Sequence, residues 1–125
     1  MDDGIRRALA RGQTVDLTTI GRRTGLPRRV RLALHPIDGG LYISGLPGFP
    51  RSWLANVRVD ARVTLHLKGP NRADLPATAR EITEPAERRR IMERVARNWR
   101  RSNVDRMMVA SPLIQVTPDE LADSA

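Results

Sequence analysis

The sequence predicts a mainly β (α+β) fold, a small antiparallel barrel with one long helix and one or two short helices on its outside. Three observations lead to this prediction. About six short segments either alternate apolar and polar residues or are rich in β-branched residues. Glycine and proline turn signals separate several of these segments. A long helical pattern occurs once, over residues 86–101.

The first elements are a short helix and a strand. Ile5 and Leu9 are one helical turn apart, which predicts a short helix over residues 2–11. The β-branched residues of segment 15–20 predict a strand. Two glycines and a proline in segment 21–27 then predict a tight loop.

A hairpin follows this loop. In residues 28–35 every second residue is apolar, which predicts a strand with one buried face. Asp38-Gly39-Gly40 is a hairpin turn signal, and residues 41–45 are expected to form the returning strand. Segment 46–50 contains two prolines and a glycine and is predicted to be an irregular loop.

The second half of the chain alternates helices and strands. Ser52 is expected to cap a short helix over 53–57, and two strands are expected over 62–68 and 77–82.

The long helix over 86–101 places Ile91, Val95 and Trp99 at four-residue spacing, and a last strand follows over 113–116.

A chain of 125 residues has the length of one domain, so we expect a single domain over 1–125. Within it, residues 1–14 form an N-terminal segment and 119–125 an acidic tail that is expected to be frayed. No apolar stretch approaches the length of a membrane span, and residues 1–15 lack the apolar core of a secretory signal. The expected location is therefore the cytoplasm.

Charge limits the choice of partners. The formal net charge is +8, and Lys68 is the single lysine among the 22 basic residues. Arginines cluster in segments 22–31 and 88–101, and such a field attracts phosphates, carboxylates, nucleic acid or an acidic membrane surface. Aromatic residues make up 3% of the chain, too few for a base-stacking platform, so no specific nucleic-acid partner is expected. The second cluster predicts either a solvated helix face or peripheral contact with an anionic membrane.

Few side chains of the types that bind transition metals occur in this sequence. The chain has no cysteine and two histidines, which excludes thiolate sites and most histidine-built sites, so no metal is expected. His35 and His66 are predicted to face solvent on their strands.

The densest set of side chains able to bind a ligand lies in one segment, Leu17-Thr18-Thr19-Ile20-Gly21-Arg22-Arg23-Thr24-Gly25-Leu26-Pro27-Arg28. A strand runs into a glycine loop from which three guanidinium groups and the Thr24 hydroxyl project. Arginine pairs with phosphate and carboxylate oxygens through two parallel hydrogen bonds, so the segment suits an anion clamp. The alternative is a solvated basic turn. A Walker loop is excluded because the segment lacks the Gly-Lys-[Ser/Thr] signature.

This segment resembles the L-T-T-x-G-R-x-[ST]-G-x-x-R signature of the deazaflavin (coenzyme F-420)-dependent nitroreductase and quinone reductase family. Three further segments continue the resemblance, so that it covers roughly residues 15–118. Segment 41–48 resembles the family's strand and Ser-Lys-Gly-Gly loop, 52–57 its W-x-x-N-L helix, and 59–65 its next strand entry. Leu46 and Pro47 stand where the family has lysine and glycine, so one cationic contact is absent here.

The resemblance implies a split β-barrel that binds F-420, with FMN as the second candidate cofactor. It implies that Arg22, Arg23 and Arg28 hold the phosphate and glutamate tail, that residues 44–48 approach the ring, and that Trp53 and Asn56 close the site. The cofactor-binding residues implied in this way are Arg22, Arg23, Thr24, Gly25, Arg28, Arg31, Ile43, Ser44, Gly45, Leu46, Pro47, Gly48, Arg51, Trp53 and Asn56.

The implied reaction is hydride transfer from the reduced deazaflavin to a hydrophobic acceptor such as a quinone, an enone or an unsaturated lipid-like compound. The cofactor supplies the hydride, so no catalytic side chain is assigned. One alternative is a non-catalytic split-barrel binder of F-420, FMN or a fatty acid, and another is a basic nucleic-acid-binding protein. An open barrel edge and the surface around Trp99 suggest a homodimer.

Overall fold

Six antiparallel strands close into a barrel in the order β1-β2-β3-β6-β5-β4. The computed structural model describes residues 1–123. The strands are β1 Gln13–Ile20, β2 Pro27–Ile37, β3 Gly40–Ser44, β4 Arg62–Leu67, β5 Ala73–Glu81 and β6 Leu113–Pro118. The predicted fold class is confirmed. The predicted open edge is wrong, because β1 pairs with β4 as well as β2 and so closes the ring.

Five α-helices lie outside the barrel: α1 Asp3–Leu9, α2 Ser52–Val59, α3 Pro85–Asn98, α4 Val104–Ala110 and α5 Asp119–Asp123. The described chain thus has four short helices beside the long one, rather than one or two. The acidic tail expected to be frayed is helical over Asp119–Asp123, with Asp119 and Glu120 in the first turn, where negative charge favours a helix. Residues 124–125 lie outside the described residues. The residue at the N-cap of α2 is Arg51, not Ser52.

Two apolar cores result from the strand alternation. The first fills the barrel and includes Val15, Leu17 and Leu65, which are fully buried. The second lies between the barrel wall and α3 and α4, and includes Ile91 and Met107. No helix in the described part of the chain is long and apolar enough to cross a membrane.

Both histidines are buried, so the prediction that they face solvent is wrong. His66 points outward from β4 as expected, but side chains on the neighbouring strands cover it. Its Nδ1 donates to Asp74 Oδ1 at 2.7 Å, and its Nε2 is hydrogen-bonded to Thr18 Oγ1 at 2.7 Å. The hydrogen bond from His66 lowers the pKa of Asp74.

His35 lies between β2 and the end of α3. Its ring packs edge-on against Trp99 with centroids 5.0 Å apart, and its Nδ1 lies 3.1 Å from Asn98 Nδ2. Burial lowers the pKa of His35 from its ordinary value of 6.5, because the surroundings disfavour the charged ring.

This burial makes the free energy of unfolding depend on pH. Below the ordinary pKa of 6.5 the unfolded chain takes up a proton at His35 that the folded chain does not. We therefore expect the free energy of unfolding to fall on acidification below that pH, by up to about 1.4 kcal/mol per pH unit from this group. Urea unfolding across this range measures the slope. His35→Gln should flatten it, and an unchanged slope in that variant would contradict the assignment.

Candidate functional site

The tight loop between β1 and β2 presents the arginines of the site. The Gly21 N–H donates to the Leu26 carbonyl, and the Gly25 N–H donates to the Gly21 carbonyl, both at 2.8 Å. Gly25 has φ +70°, and a Cβ at Gly21 would lie 2.8 Å from Thr24 Oγ1. Both glycines are therefore needed for the loop to close this tightly.

Asn56 of α2 ties this loop to the barrel. Its side chain is 3% exposed. Its Oδ1 accepts from the Arg22 N–H at 3.1 Å and from Arg22 Nη1 at 3.0 Å, and its Nδ2 donates to Thr19 Oγ1 at 3.0 Å. One buried amide thus fixes both the backbone and the guanidinium of Arg22.

A cavity of about 530 Å³ lies between this loop, the start of β2 and the N-terminal half of α2. It brings together six of the predicted site residues: Arg22, Arg23, Thr24, Arg28, Trp53 and Asn56. The cavity is also lined by five residues that were not in the predicted set: Thr19, Gly21, Arg29, Val30 and Ser52. Thr19 and Gly21 belong to the signature segment, Arg29 and Val30 follow Arg28, and Ser52 precedes Trp53. Closeness in sequence to the motif residues could therefore have indicated these five residues.

The charge in this cavity is not balanced by the described residues that line it. No acidic side chain is among them. Arg29 forms an ion pair at 2.9 Å with Asp16, which does not line the cavity, and Lys68 contacts the same carboxylate at 2.8 Å. Hydrogen bonds from Lys68 and Arg29 lower the pKa of Asp16. The guanidinium groups of Arg23 and Arg28, in contrast, have no hydrogen bond or ion pair with any residue in 1–123. The cavity therefore favours an anionic ligand.

The other predicted site residues do not line this cavity. Gly25 is at the exposed tip of the loop, and Arg31 lies further along β2 opposite Asp16. Ile43 and Ser44 are buried, and Ser44 Oγ donates to the Pro112 carbonyl at 2.6 Å. Their side chains face the protein interior.

Segment 45–48 and Arg51 also do not line the cavity. Arg51 Nη2 donates to the Leu46 carbonyl at 2.6 Å, and its Nη1 donates to the Phe49 carbonyl at 2.7 Å. A Cβ at Gly45 would lie 2.6 Å from Arg51 Nη2, so a larger residue there would displace the Arg51 guanidinium. Arg51 therefore holds its own loop together, with Pro47 and Gly48 inside that loop.

Comparison with known proteins gives the same family as the motif. A family model described as F420H(2)-dependent quinone reductase matches residues 2–118. No curated protein matches the chain.

Solved structures share the fold. A conserved hypothetical protein, Rv2991 from Mycobacterium tuberculosis, has a TM-score of 0.74 at 21% identity, covering 94% of this chain and 80% of that one. A structure named F420 Reductase has a TM-score of 0.71 at 13% identity, covering 94% and 95%. A structure named F420-H2 Dependent Reductase (FDR-A) has a TM-score of 0.61 at 22% identity, covering 82% and 92%. At these identities the structures support the split-barrel fold alone. Because the family model spans residues 2–118, this chain belongs to the F420H(2)-dependent quinone reductase family.

Proposed function

We propose that the chain is an F-420-dependent oxidoreductase that binds the coenzyme in the cavity beside α2 and passes a hydride to a hydrophobic acceptor. The observation that carries the proposal is the pair of arginines, Arg23 and Arg28, that face the cavity without an acidic partner among the described residues. A third arginine, Arg22, is fixed beside them by Asn56.

The residues present suit the coenzyme. A phosphodiester and a run of glutamates need several cationic donors, and guanidinium groups bind both kinds of oxygen through paired hydrogen bonds. A flat, largely apolar ring needs an apolar wall, which Trp53 and Val30 provide. The cavity of about 530 Å³ is within the usual size of small-molecule sites.

The protein's part in the reaction is to bind and to position. When bound, the coenzyme supplies the hydride. Arg23 and Arg28 neutralise the tail, and Asn56 keeps Arg22 in place so that little ordering is needed on binding. The acceptor class we propose is a quinone, an enone or an unsaturated lipid-like compound, and FMN is the competing cofactor because its phosphate would suit the same arginines.

Titration of the purified chain with F-420 and, separately, with FMN at near-physiological salt tests the proposal. We expect F-420 to bind with a micromolar or lower dissociation constant and more tightly than FMN. Reduced F-420 should then be oxidised when a soluble quinone is added. Binding without turnover of quinone, enone or lipid-like acceptors would support the non-catalytic binder instead. Failure to bind F-420 would overturn the proposal. Tighter binding of FMN than of F-420 would identify FMN as the cofactor instead.

A further inference from the structure

Arg29 lines the cavity beside α2 while one of its nitrogens is bonded to a residue outside the cavity. The motif that indicated the other arginines ends at Arg28, so Arg29 is not part of it. Its Nε donates to Asp16 Oδ2 at 2.9 Å, whereas its Nη1 and Nη2 have no hydrogen bond to any residue in 1–123. Two of the three guanidinium nitrogens are therefore free to donate to the oxygens of an anion.

Strand register brings this contact about. Asp16 lies between two core residues of β1, so its side chain is on the outer face of the barrel. Arg29 is two residues from the β2 residue that pairs with Asp16, and Lys68 is two residues from the β4 residue that does. Diagonal neighbours on one face of a sheet are within reach of long side chains. Asp16 accordingly binds one cation from each neighbouring strand.

The second cation decides the net charge of this cluster. Lys68 Nζ lies 2.8 Å from Asp16 Oδ1, on the oxygen that Arg29 does not use. Hydrogen bonds from Lys68 and Arg29 lower the pKa of Asp16, so the carboxylate is charged at neutral pH. With Arg29 alone, Asp16 would form a neutral pair. With Lys68 as well, the three groups together carry one positive charge beside the cavity.

We propose that Arg29 is a further anion-binding residue of the cavity, that Asp16 positions its guanidinium, and that Lys68 offsets the charge of Asp16 so that Arg29 attracts the ligand. Asp16 and Lys68 are positioning residues, since neither lines the cavity. The inference rests on the proposed function for the identity of the ligand, whose phosphodiester and glutamate oxygens are the anionic groups that Arg29 would bind.

Calorimetric titration with inorganic pyrophosphate tests the anion-binding role, because this probe needs cationic donors and no apolar wall. We expect Arg29→Gln to lower pyrophosphate affinity about three- to tenfold, a moderate loss since the Arg29 side chain is 56% exposed and partly screened by water. Lys68→Gln should lower it about two- to threefold. Lys68→Arg keeps the charge and should restore the affinity of the unaltered chain.

Two Asp16 variants separate charge from positioning. Asp16→Asn keeps an oxygen that can accept from Arg29 Nε but removes the negative charge, so we expect higher affinity than in the unaltered chain. Asp16→Ala removes the charge and the acceptor together and should bind more weakly than Asp16→Asn. In the Asp16→Asn chain, Lys68→Gln should lose its specific effect, because Lys68 then has no carboxylate to offset.

Arg72→Gln is the matched control. Arg72 lines a cleft of about 480 Å³ together with Lys68, but it does not line the cavity and does not contribute to the lowered pKa of Asp16. Its loss should lower affinity less than Lys68→Gln does, and urea unfolding shows whether each variant is folded. Equal losses in the Lys68→Gln and Arg72→Gln variants would overturn the role of Lys68, because general positive charge would then account for both.

Titration of the same variants with F-420 distinguishes this inference from the proposed function. If the expected order of variants appears with pyrophosphate while F-420 does not bind, Arg29 keeps its role and the proposed function fails. If F-420 binds the unaltered chain and Arg29→Gln changes the affinity for neither probe, the proposed function stands and this inference is overturned. Absence of binding of both probes would overturn both.

Discussion

Arg28→Ala is expected to weaken F-420 binding by about 1.5–3 kcal/mol, or roughly 10- to 150-fold in dissociation constant, the range for a hydrogen-bonded charged group. Arg28 is at the start of β2, exposed, and its guanidinium has no partner among the described residues. Its removal should therefore leave the fold intact and act on the ligand alone. Fluorescence or absorbance titration with F-420 measures the change.

Arg90→Ala is the control for this measurement. Arg90 carries the same charge but pairs with Asp38, at the hairpin between β2 and β3, and does not line the cavity. We expect its removal to change F-420 affinity little. The change should become smaller as salt is added, because salt screens the distant charge. Equal losses at Arg28 and Arg90 would mean that the net positive charge attracts the coenzyme without a defined clamp.

Asn56→Ala is expected to lower the free energy of unfolding by about 2–4 kcal/mol, because a buried amide with three hydrogen bonds is lost. The Thr19 hydroxyl and the Arg22 N–H lose their partner on this substitution. The freed Arg22 side chain should also bind F-420 less well. Urea unfolding measures the first effect, and F-420 titration measures the second.

Asn56→Asp separates the two roles. A carboxylate there still accepts from Arg22, and the Thr19 hydroxyl can donate to its other oxygen. We expect stability close to that of the unaltered chain but weaker F-420 binding, because the new negative charge neutralises Arg22 beside the anionic ligand. F-420 affinity unchanged in both Asn56 variants would remove this residue from the binding machinery and leave it a purely structural one.

The fold was predictable where one face of an element is buried. Alternation identified β2 and β4, the β-branched residues of segment 15–20 identified β1, and four-residue spacing identified α3. The start of β5 was missed because Pro76 interrupts the pattern. Pro76 is tolerated since it pairs with Thr64 of β4 but precedes the β6 pairing, which begins at Ala77. Burial of His66 was missed for a different reason: alternation gives the direction of a side chain but not what covers it.

The site was predictable only where its residues are close in sequence or share a motif. Arg22, Arg23 and Arg28 are in one loop and its flanking strand, and the W-x-x-N helix supplied Trp53 and Asn56. Arg51 was predicted to add charge to the same site, but it donates to carbonyls of the loop before it. No sequence pattern distinguishes a guanidinium that lines a cavity from one that braces its own backbone. That distinction depends on three-dimensional placement, since Arg51 is the N-cap residue of α2 and yet does not line the cavity.

Helix α2 forms one wall of the cavity proposed for the coenzyme with one face, which carries Trp53 and Asn56, and one wall of a second groove with the other face, which carries Leu54 and Arg58. The two spaces therefore share one wall, and a displacement of α2 would change the shape of both at once. A ligand that moved α2 on binding to one side would change the affinity on the other side, and reciprocity makes the factor the same in both directions.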